Sequence, residues 1–197
     1  MSFSPVTAEA FADALIDDPF YQAITVDQRL PRRTPRDTLV QYFALSLEEA
    51  MRVGRCVVAE DPAQGAAAWL LPRGTEELDD DRSAKLARLS QLLGPQGYAN
   101  YVQIVERMSS LTGDVVPAGA WYLSIVGVHP SAQGRGLGAK LLAPTLDEAR
   151  HGGHFCYLET FSTRSVPFYE KLGFRVVGRH PEPTTQAWYS IMSTDFS

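Results

Sequence analysis

The sequence predicts an α/β (α+β) protein with a mixed central sheet and helices on both faces. The first observation is the order of apolar and amphipathic runs in the C-terminal half: strand, glycine-rich turn, helix, strand, helix, strand, strand. The second is the helical periodicity that fills most of the N-terminal half. The third is composition, because 45% hydrophobic and 21% charged residues over 197 positions fit a globular chain with a sizeable core.

The N-terminal half begins with helices. Thr7 is the predicted N-cap of the first helix, and Pro19 is expected to stop it. A loop rich in proline and arginine follows, and a stronger amphipathic helix then runs from Asp37 until Gly54 ends it. The next two apolar runs, RCVVAED and GAAAWLLP, are short and separated by a turn, so they predict a hairpin.

Residues 74–113 have a different character. They contain two helical patterns with a break at Gly94 and Pro95, a dipeptide that favours a turn. We predict one domain over residues 1–197, in which residues 74–113 form a helical insertion.

After Pro117 the pattern becomes strand-like. The run WYLSIVGV predicts a strand, HPSAQGRGLGA predicts a turn, and the following helix is expected to end at Gly152 and Gly153. FCYLETF predicts another strand, STRSVPFYEKLG a short helix, and FRVVGRH and QAWYSIMS two last strands that can pair antiparallel. A strand–helix–strand crossover predicts that WYLSIVGV and FCYLETF lie parallel.

The turn at residues 133–139 has the composition of an anion site. The first N–H groups of a helix lack partners and carry partial positive charge, and glycines let a bulky anion approach them. Arg135 adds a full charge. The Walker pattern is absent, and Gly134, Gly136 and Gly138 alternate instead of following the Rossmann spacing. The expected ligand is a diphosphate, and the alternative is an ordinary surface turn.

These residues fit the pattern Gln-x-x-Gly-x-Gly, which resembles the acetyl-coenzyme A signature of the GNAT superfamily of N-acetyltransferases. The run LETFSTRSVPFYEKLGFRVV resembles the later motif of that superfamily, a helix ending in Tyr-x-x-x-Gly-Phe after the fifth strand. The motifs span residues 121–174, and the order of elements extends the resemblance to most of the chain. Within the superfamily the resemblance is closest to the puromycin N-acetyltransferases. It implies transfer of an acetyl group from acetyl-CoA to a small-molecule amine.

The sequence departs from the superfamily pattern at two places. Only MSFSPV precedes the first helix, so the first strand of the fold is expected to be short or missing. Ser165 stands where many members carry asparagine, and its hydroxyl has a shorter reach toward the pantetheine arm.

The resemblance implies a coenzyme site. Members splay their fourth and fifth strands, and the pantetheine arm inserts between them like an added strand. Gly127 fits either a bulge that directs an N–H at the thioester or a need for close packing. The implied coenzyme-binding residues belong to the fourth strand, the glycine-rich turn and the later motif: Ile125, Val126, Val128, Gln133, Gly134, Arg135, Gly136, Leu137, Gly138, Ala139 and Ser165.

The resemblance also implies catalytic residues. Tyr169 occupies the position of the family tyrosine that reaches the coenzyme sulfur, and a phenol with a pKa of about 10 is protonated at neutral pH. A core aromatic is the alternative for Tyr169. Glu159 is the predicted base, or else a residue that anchors a backbone N–H, and Glu48 and Glu49 are reserves. Five aromatic residues are expected to line an acceptor pocket or to be core: Phe20, Tyr21, Tyr42, Trp69 and Tyr122.

Composition excludes several classes. A net charge of −5 argues against a nucleic-acid binder. Cys56 and Cys156 are expected to be buried thiols, and His151 and His154 are poor candidates for a metal site, so no metal is expected. No apolar run reaches the ~18 residues of a membrane span, and the N-terminus lacks signal-peptide features. We expect a cytoplasmic monomer or homodimer. The alternative functions are a protein or peptide acetyltransferase and a non-catalytic acyl-CoA sensor.

Overall fold

The computed structural model describes residues 4–27, 33–72 and 76–195, with the backbone alone for residues 76–82. Residues 28–32, which include the start of the predicted loop rich in proline and arginine, lie outside this description. Helices and strands occur in the described residues in the following order: α1 Pro5–Leu15, α2 Pro19–Ile24, α3 Pro35–Val53, β1 Gly54–Val58, β2 Gly65–Leu70, α4 Glu76–Gly113, β3 Trp121–Val128, α5 Leu137–Gly152, β4 Cys156–Thr160, α6 Val166–Glu170, β5 Phe174–Glu182 and β6 Ala187–Thr194.

The strands form one mixed sheet in the order β1-β2-β3-β4-β6-β5. The pair β3–β4 is parallel, as the crossover pattern predicts, and the other neighbouring pairs are antiparallel. The fold class predicted from the sequence is therefore confirmed. The first element in the described residues is α1, so the fourth and fifth strands of the family count correspond to β3 and β4.

Side chains that alternate along the strands give the sheet a core on each face. On one face, residues of α1 and α3 pack on Ala68 and Ile125, and residues of α4 join the same core. On the other face, residues of α5 and α6 pack on Trp69, Leu123 and Leu158. Helices thus cover both faces of the sheet.

The first two helices differ from the sequence prediction. Ser4 is the N-cap of α1 and Thr7 lies inside the helix, so the predicted N-cap is wrong. Pro5 explains the shift, because proline suits the first helical position, where no N–H is needed. Pro19 likewise begins α2, whose N-cap is Asp18 with its Oδ1 accepting the Phe20 N–H at 2.9 Å. Proline marks a helix start at both positions.

Helix α4 packs on α2 and α3 and contains the break predicted at Gly94 and Pro95. Gly94 has φ 72°, a left-handed conformation that interrupts the helix and favours glycine. The Asp27 side chain lies beside Gly94, and its Oδ2 accepts the Gln96 N–H at 3.2 Å. This contact attaches the kink of α4 to the chain that follows α2.

Candidate active site

The parallel pairing of β3 and β4 is short. Trp121 pairs with Cys156 and Tyr122 with Tyr157, and then the two strands separate. Residues 123–128 continue beside β2, whereas residues 158–160 continue beside β6. We call the resulting gap between residues 123–128 and residues 158–160 the opening. It is the splay that the resemblance implies.

The register of β3 shows which backbone groups face the opening. The His129 N–H donates to the Gln64 carbonyl at 2.9 Å, on the side of β2. Successive residues of an antiparallel ladder direct their backbone groups at opposite edges of the strand. Ile125 is four residues before His129, so it also directs its N–H and C=O at β2. Val126 and Val128 therefore direct their backbone groups toward the opening. Of the three β3 residues predicted to bind the coenzyme, these two have the orientation that strand addition requires.

A bulge occurs on β3, but at a different residue from the one considered in the sequence. Ser124 is the extra residue between Leu123 and Ile125, which oppose consecutive residues of β2. Gly127 lies in regular register, and a Cβ at this position would stand 2.7 Å from the Phe11 ring. The packing interpretation of Gly127 is confirmed and the bulge interpretation is wrong.

The glycine turn, residues 133–139, connects β3 to α5. Gly134 and Gly136 have φ 77° and 76°, and no described atom lies within 4 Å of a Cβ built on either residue. Gly136 is the N-cap of α5, so the partnerless N–H groups of the first helical turn face this open space. The Gln133 amide donates to the Val128 carbonyl at 3.0 Å and ties the turn to the end of β3.

The remaining residues of the glycine turn give it a positive charge and pack it against the helices beneath it. Arg135 is exposed and its guanidinium donates to the Ser131 carbonyl, which holds the positive charge at the turn. Leu137 is half-buried against the core beneath α5, and Ala139 is half-buried in the first helical turn. A Cβ on Gly138 would stand 3.1 Å from the Phe168 ring, so this glycine brings α5 close to α6.

Tyr169 lies on α6 and lines a cavity of about 1200 Å³ that borders the opening. Its side chain is 9% exposed, and its ring meets Phe174 edge-to-face at 6.0 Å. Burial, and secondly the charge of Asp18, raise the pKa of the Tyr169 phenol above its usual value, so the phenol keeps its proton at neutral pH. Ser165 is the N-cap of α6, and its hydroxyl donates to Ser162 Oγ at 2.9 Å.

Glu159 lies on β4, with its carboxylate in the same cavity. Its Oε1 accepts the Thr112 hydroxyl at 2.6 Å, and the carboxylate also shares a hydrogen bond with Tyr122. Burial raises the pKa of Glu159, and these two hydrogen bonds oppose the increase. The carboxylate thus joins the end of α4 to both strands that border the opening.

Aromatic residues line the cavity that contains Tyr169 and Glu159. Of the five aromatic residues predicted for a pocket, Phe20, Tyr21, Tyr42 and Tyr122 line it. For Trp69 the core alternative holds: this side chain is fully buried on the other face of the sheet, where alternation along β2 places it.

Asp18 is the residue that the sequence analysis missed. It lines the cavity, and burial raises its pKa to about 6, with the hydrogen bond from the Phe20 N–H opposing the increase. The only signal in the sequence is the dipeptide Asp18-Pro19. It marks the start of α2, but a proline after a helical pattern can equally mark the end of the preceding helix. By contrast, the reserve bases are paired, Glu48 with Arg88 and Glu49 with Lys85.

The cysteine, histidine and acidic side chains were also compared with the requirements of a metal site. No group of three or more His, Cys, Asp and Glu side chains in the described residues has the arrangement of a metal site. Cys156 is buried, Cys56 is half-buried, and both are free thiols whose pKa values burial raises to about 12 and about 11. His154 stacks on Trp121. None of the helices in this part of the chain is long and apolar enough to cross a membrane.

A known family matches the part of the chain that contains the opening, the glycine turn and Tyr169. The family model described as Acetyltransferase (GNAT) family matches residues 72–174, which is more than half of the chain. The chain belongs to the GNAT family of acetyltransferases. Members of this family use acetyl-CoA as cosubstrate, and the match includes β3, the glycine turn, α5, β4 and α6.

Two curated relatives are similar to this GNAT chain over different lengths. The L-methionine sulfoximine/L-methionine sulfone acetyltransferase of Salmonella typhimurium is 40% identical over 58 residues, 28% of this chain and 34% of the relative. The mycothiol acetyltransferase of Renibacterium salmoninarum is 27% identical over 183 residues, 85% of this chain and 52% of the relative. The chain thus spans about half, or less, of the length of these relatives.

Two solved structures are similar to nearly the whole GNAT chain. A histone acetyltransferase HPA2 and related acetyltransferase from Corynebacterium glutamicum has a TM-score of 0.63 at 23% identity, covering 97% of this chain and 90% of that one. Arylalkylamine N-acetyltransferase 2 from Aedes aegypti has a TM-score of 0.64 at 16% identity, covering 98% and 94%. At these identities the likeness concerns the fold alone.

Proposed function

We propose that this GNAT protein transfers the acetyl group of acetyl-CoA to the primary amine of a small molecule. The observation that carries the proposal is the opening between β3 and β4, with the glycine turn at one end and Tyr169 beside it. The opening offers a strand edge, the turn offers N–H groups, and the cavity offers space for a second substrate.

The described residues fit the coenzyme. Val126 and Val128 direct backbone groups at the opening, where the amides of a pantetheine arm find partners by strand addition. The open space at Gly134 and Gly136 admits a diphosphate close to the backbone, and Arg135 adds charge there. We propose that Gln133, Leu137, Gly138 and Ala139 shape this turn, that Ile125 supports the strand, and that Ser165 contacts the pantetheine.

The bound cosubstrate supplies an activated acetyl group as a thioester. Tyr169 keeps its proton at neutral pH, and we propose that it donates this proton to the sulfur as the C–S bond breaks. Glu159 is the proposed base: its half-buried carboxylate takes one proton from the arriving ammonium, so that the neutral nitrogen can form the new N–C bond. The second N–H proton replaces the one that Tyr169 gives up, and one proton leaves to solvent.

The cavity supports a small-molecule acceptor. Its wall combines α2, α3 and α4 with the sheet, and residues 74–113, which we propose to be an insertion in a single domain, contribute a large part of it. A cavity walled by helices and by the sheet suits a compact amine better than an extended peptide, which needs a long groove or a free strand edge. An antibiotic-like amine of the puromycin type is the finer proposal, and it rests on the resemblance of the motifs.

The test is acetyl-CoA turnover, measured as free-thiol release, over a library of amines that includes puromycin, amino acids and short peptides. We expect turnover with small amines and little with peptides. Calorimetry with coenzyme A gives an independent readout. Tight binding of coenzyme A without turnover of any amine would indicate a non-catalytic sensor, and preference for peptides would indicate a protein acetyltransferase.

A further inference from the structure

The cavity contains an aromatic cluster that comes from three helices. Phe20 on α2 lies at its centre, with ring centroids 5.2 Å from Tyr21, 6.4 Å from Tyr42 and 6.2 Å from Tyr101, all edge-to-face. All four residues line the cavity, and the three tyrosines are buried. Such a surface accommodates a planar apolar body and attracts positive charge through the ring faces.

Asp18 adds a negative charge beside this cluster. Its Oδ1 accepts the Phe20 N–H, and the titratable groups that its charge reaches are the phenols of Tyr21 on α2 and Tyr169 on α6. Burial raises the pKa values of both phenols, so both are neutral at physiological pH. No lysine or arginine whose side chain is described pairs with Asp18. The carboxylate is a half-buried acid without a cationic partner from this part of the chain.

The positive charges of the cavity wall lie elsewhere. Arg52 and Lys85 lie where the end of α3 meets α4, Lys85 pairs with Glu49, and Arg52 is also engaged. Carboxylates outnumber cations along the wall, because Glu106 and Glu159 join Glu49 and Asp18 there. A substrate carboxylate would therefore enter an acidic cavity.

We propose that Asp18 binds the ammonium group of the acceptor, and that the acceptor is an amine on an aromatic body without a carboxylate. The inference rests on the proposed function and names its substrate class. A charge-assisted contact to Asp18 supplies affinity, and the cluster around Phe20 receives the apolar body. Asp18 is a specificity-determining residue in this account: the acceptor nitrogen contacts it as an ammonium in the ground state and, after Glu159 has taken one proton, still donates an N–H to it in the transition state.

The test compares three probes that differ by one group each. Phenethylamine has a ring and an ammonium, phenylalanine adds a carboxylate, and ethylamine lacks the ring. Each is measured by calorimetry on the full chain in the presence of coenzyme A, and by saturation kinetics with acetyl-CoA. The variant is Asp18→Asn, which keeps an N-cap side chain on α2, and the matched control is Asp17→Asn, an exposed neighbour.

We expect wild type to prefer phenethylamine to both other probes by about tenfold or more. Asp18→Asn should raise KM and Kd for phenethylamine by about tenfold, with kcat changed less than about threefold, since a uniform binding contact is lost. Wild-type affinity should increase as the pH rises through about 6, where Asp18 ionises, and the variant should lack this dependence. Asp17→Asn should behave as wild type.

Equal affinity for phenylalanine, unchanged binding in Asp18→Asn, or an equal loss in Asp17→Asn would overturn the proposal. A lower kcat with an unchanged KM in Asp18→Asn would also overturn it and would make Asp18 part of the chemistry. Phenethylamine binding that depends on pH and on Asp18, with no turnover of any amine, would contradict acetyl transfer and leave the Asp18 site standing.

Discussion

The proposed coenzyme side and the proposed acceptor side of the opening are built from different parts of the chain. The coenzyme side is the continuous segment formed by β3, the glycine turn and the start of α5, and it presents mainly backbone N–H groups. The acceptor side is an assembly of side chains from distant segments, among them Asp18 before α2 and Glu159 on β4. A backbone site depends on glycines and on register, whereas a side-chain site depends on which residues the fold brings together.

The largest expected effect concerns the two ends of α5. Gly136 and Gly153 both have left-handed conformations, with φ 76° and 66°, and neither has a described atom within 4 Å of a built Cβ. Gly136→Asp should weaken coenzyme A binding by about 100-fold or more, because a carboxylate and a Cβ would occupy the anion site. Calorimetry with coenzyme A measures the loss.

Gly153→Asp is the control, since it introduces the same charge and the same backbone strain at the C-cap of α5. It should reduce stability slightly and leave coenzyme A affinity unchanged. Equal affinity in the two variants would show that the glycine turn does not bind the diphosphate, and the comparison between the two sides would then fail.

The next effect concerns Tyr169, which lies between the two sides. Tyr169→Phe removes the proposed proton donor but keeps the ring and its packing against Phe174, so stability should change little. The rate at saturating substrates should fall by about 100-fold, the scale of a positioned general acid, with coenzyme A affinity unchanged. Saturation kinetics and thermal melts measure both quantities.

Tyr98→Phe removes a phenol from α4 at a position that does not line the cavity, and it should keep wild-type turnover. A pre-steady-state burst separates chemistry from product release. If Tyr169→Phe turns over and bursts like wild type, Tyr169 is only a core aromatic, or water supplies the proton.

The two sides also differ in how far they can be predicted from the sequence. The strand, glycine turn and helix around Gly136, and the break at Gly94, follow from local periodicity and backbone conformation, so these features were predicted correctly. The acceptor side depends on tertiary contacts. For Trp69, a one-residue change of register would reverse the face of the sheet that the side chain reaches. For Asp18, the cavity that the side chain reaches depends on where the fold places α2.

A smaller effect is expected at Gly127, where the two sides meet. Gly127→Ala would place a Cβ 2.7 Å from the Phe11 ring and should lower the free energy of unfolding by about 1–3 kcal/mol, the cost of overpacking. Denaturant unfolding measures the loss. Adding Phe11→Leu should recover part of it, because the smaller side chain makes room. A double variant whose losses simply add would contradict the packing role.

The smallest expected effect concerns Arg135, the one full positive charge of the glycine turn. Arg135→Ala should weaken coenzyme A binding by ~1 kcal/mol, about fivefold, because one charge-assisted contact is lost while the N–H groups of the turn remain. Turnover at saturating acetyl-CoA should be unchanged. The loss should shrink at high salt, because Arg135 is exposed and its charge is screened. Arg150→Ala removes the same charge from the last turn of α5 and should leave the affinity as it is. If Arg135→Ala instead lowered turnover without weakening binding, the charge would act on the chemistry, and the coenzyme side would depend on side chains as much as the acceptor side does.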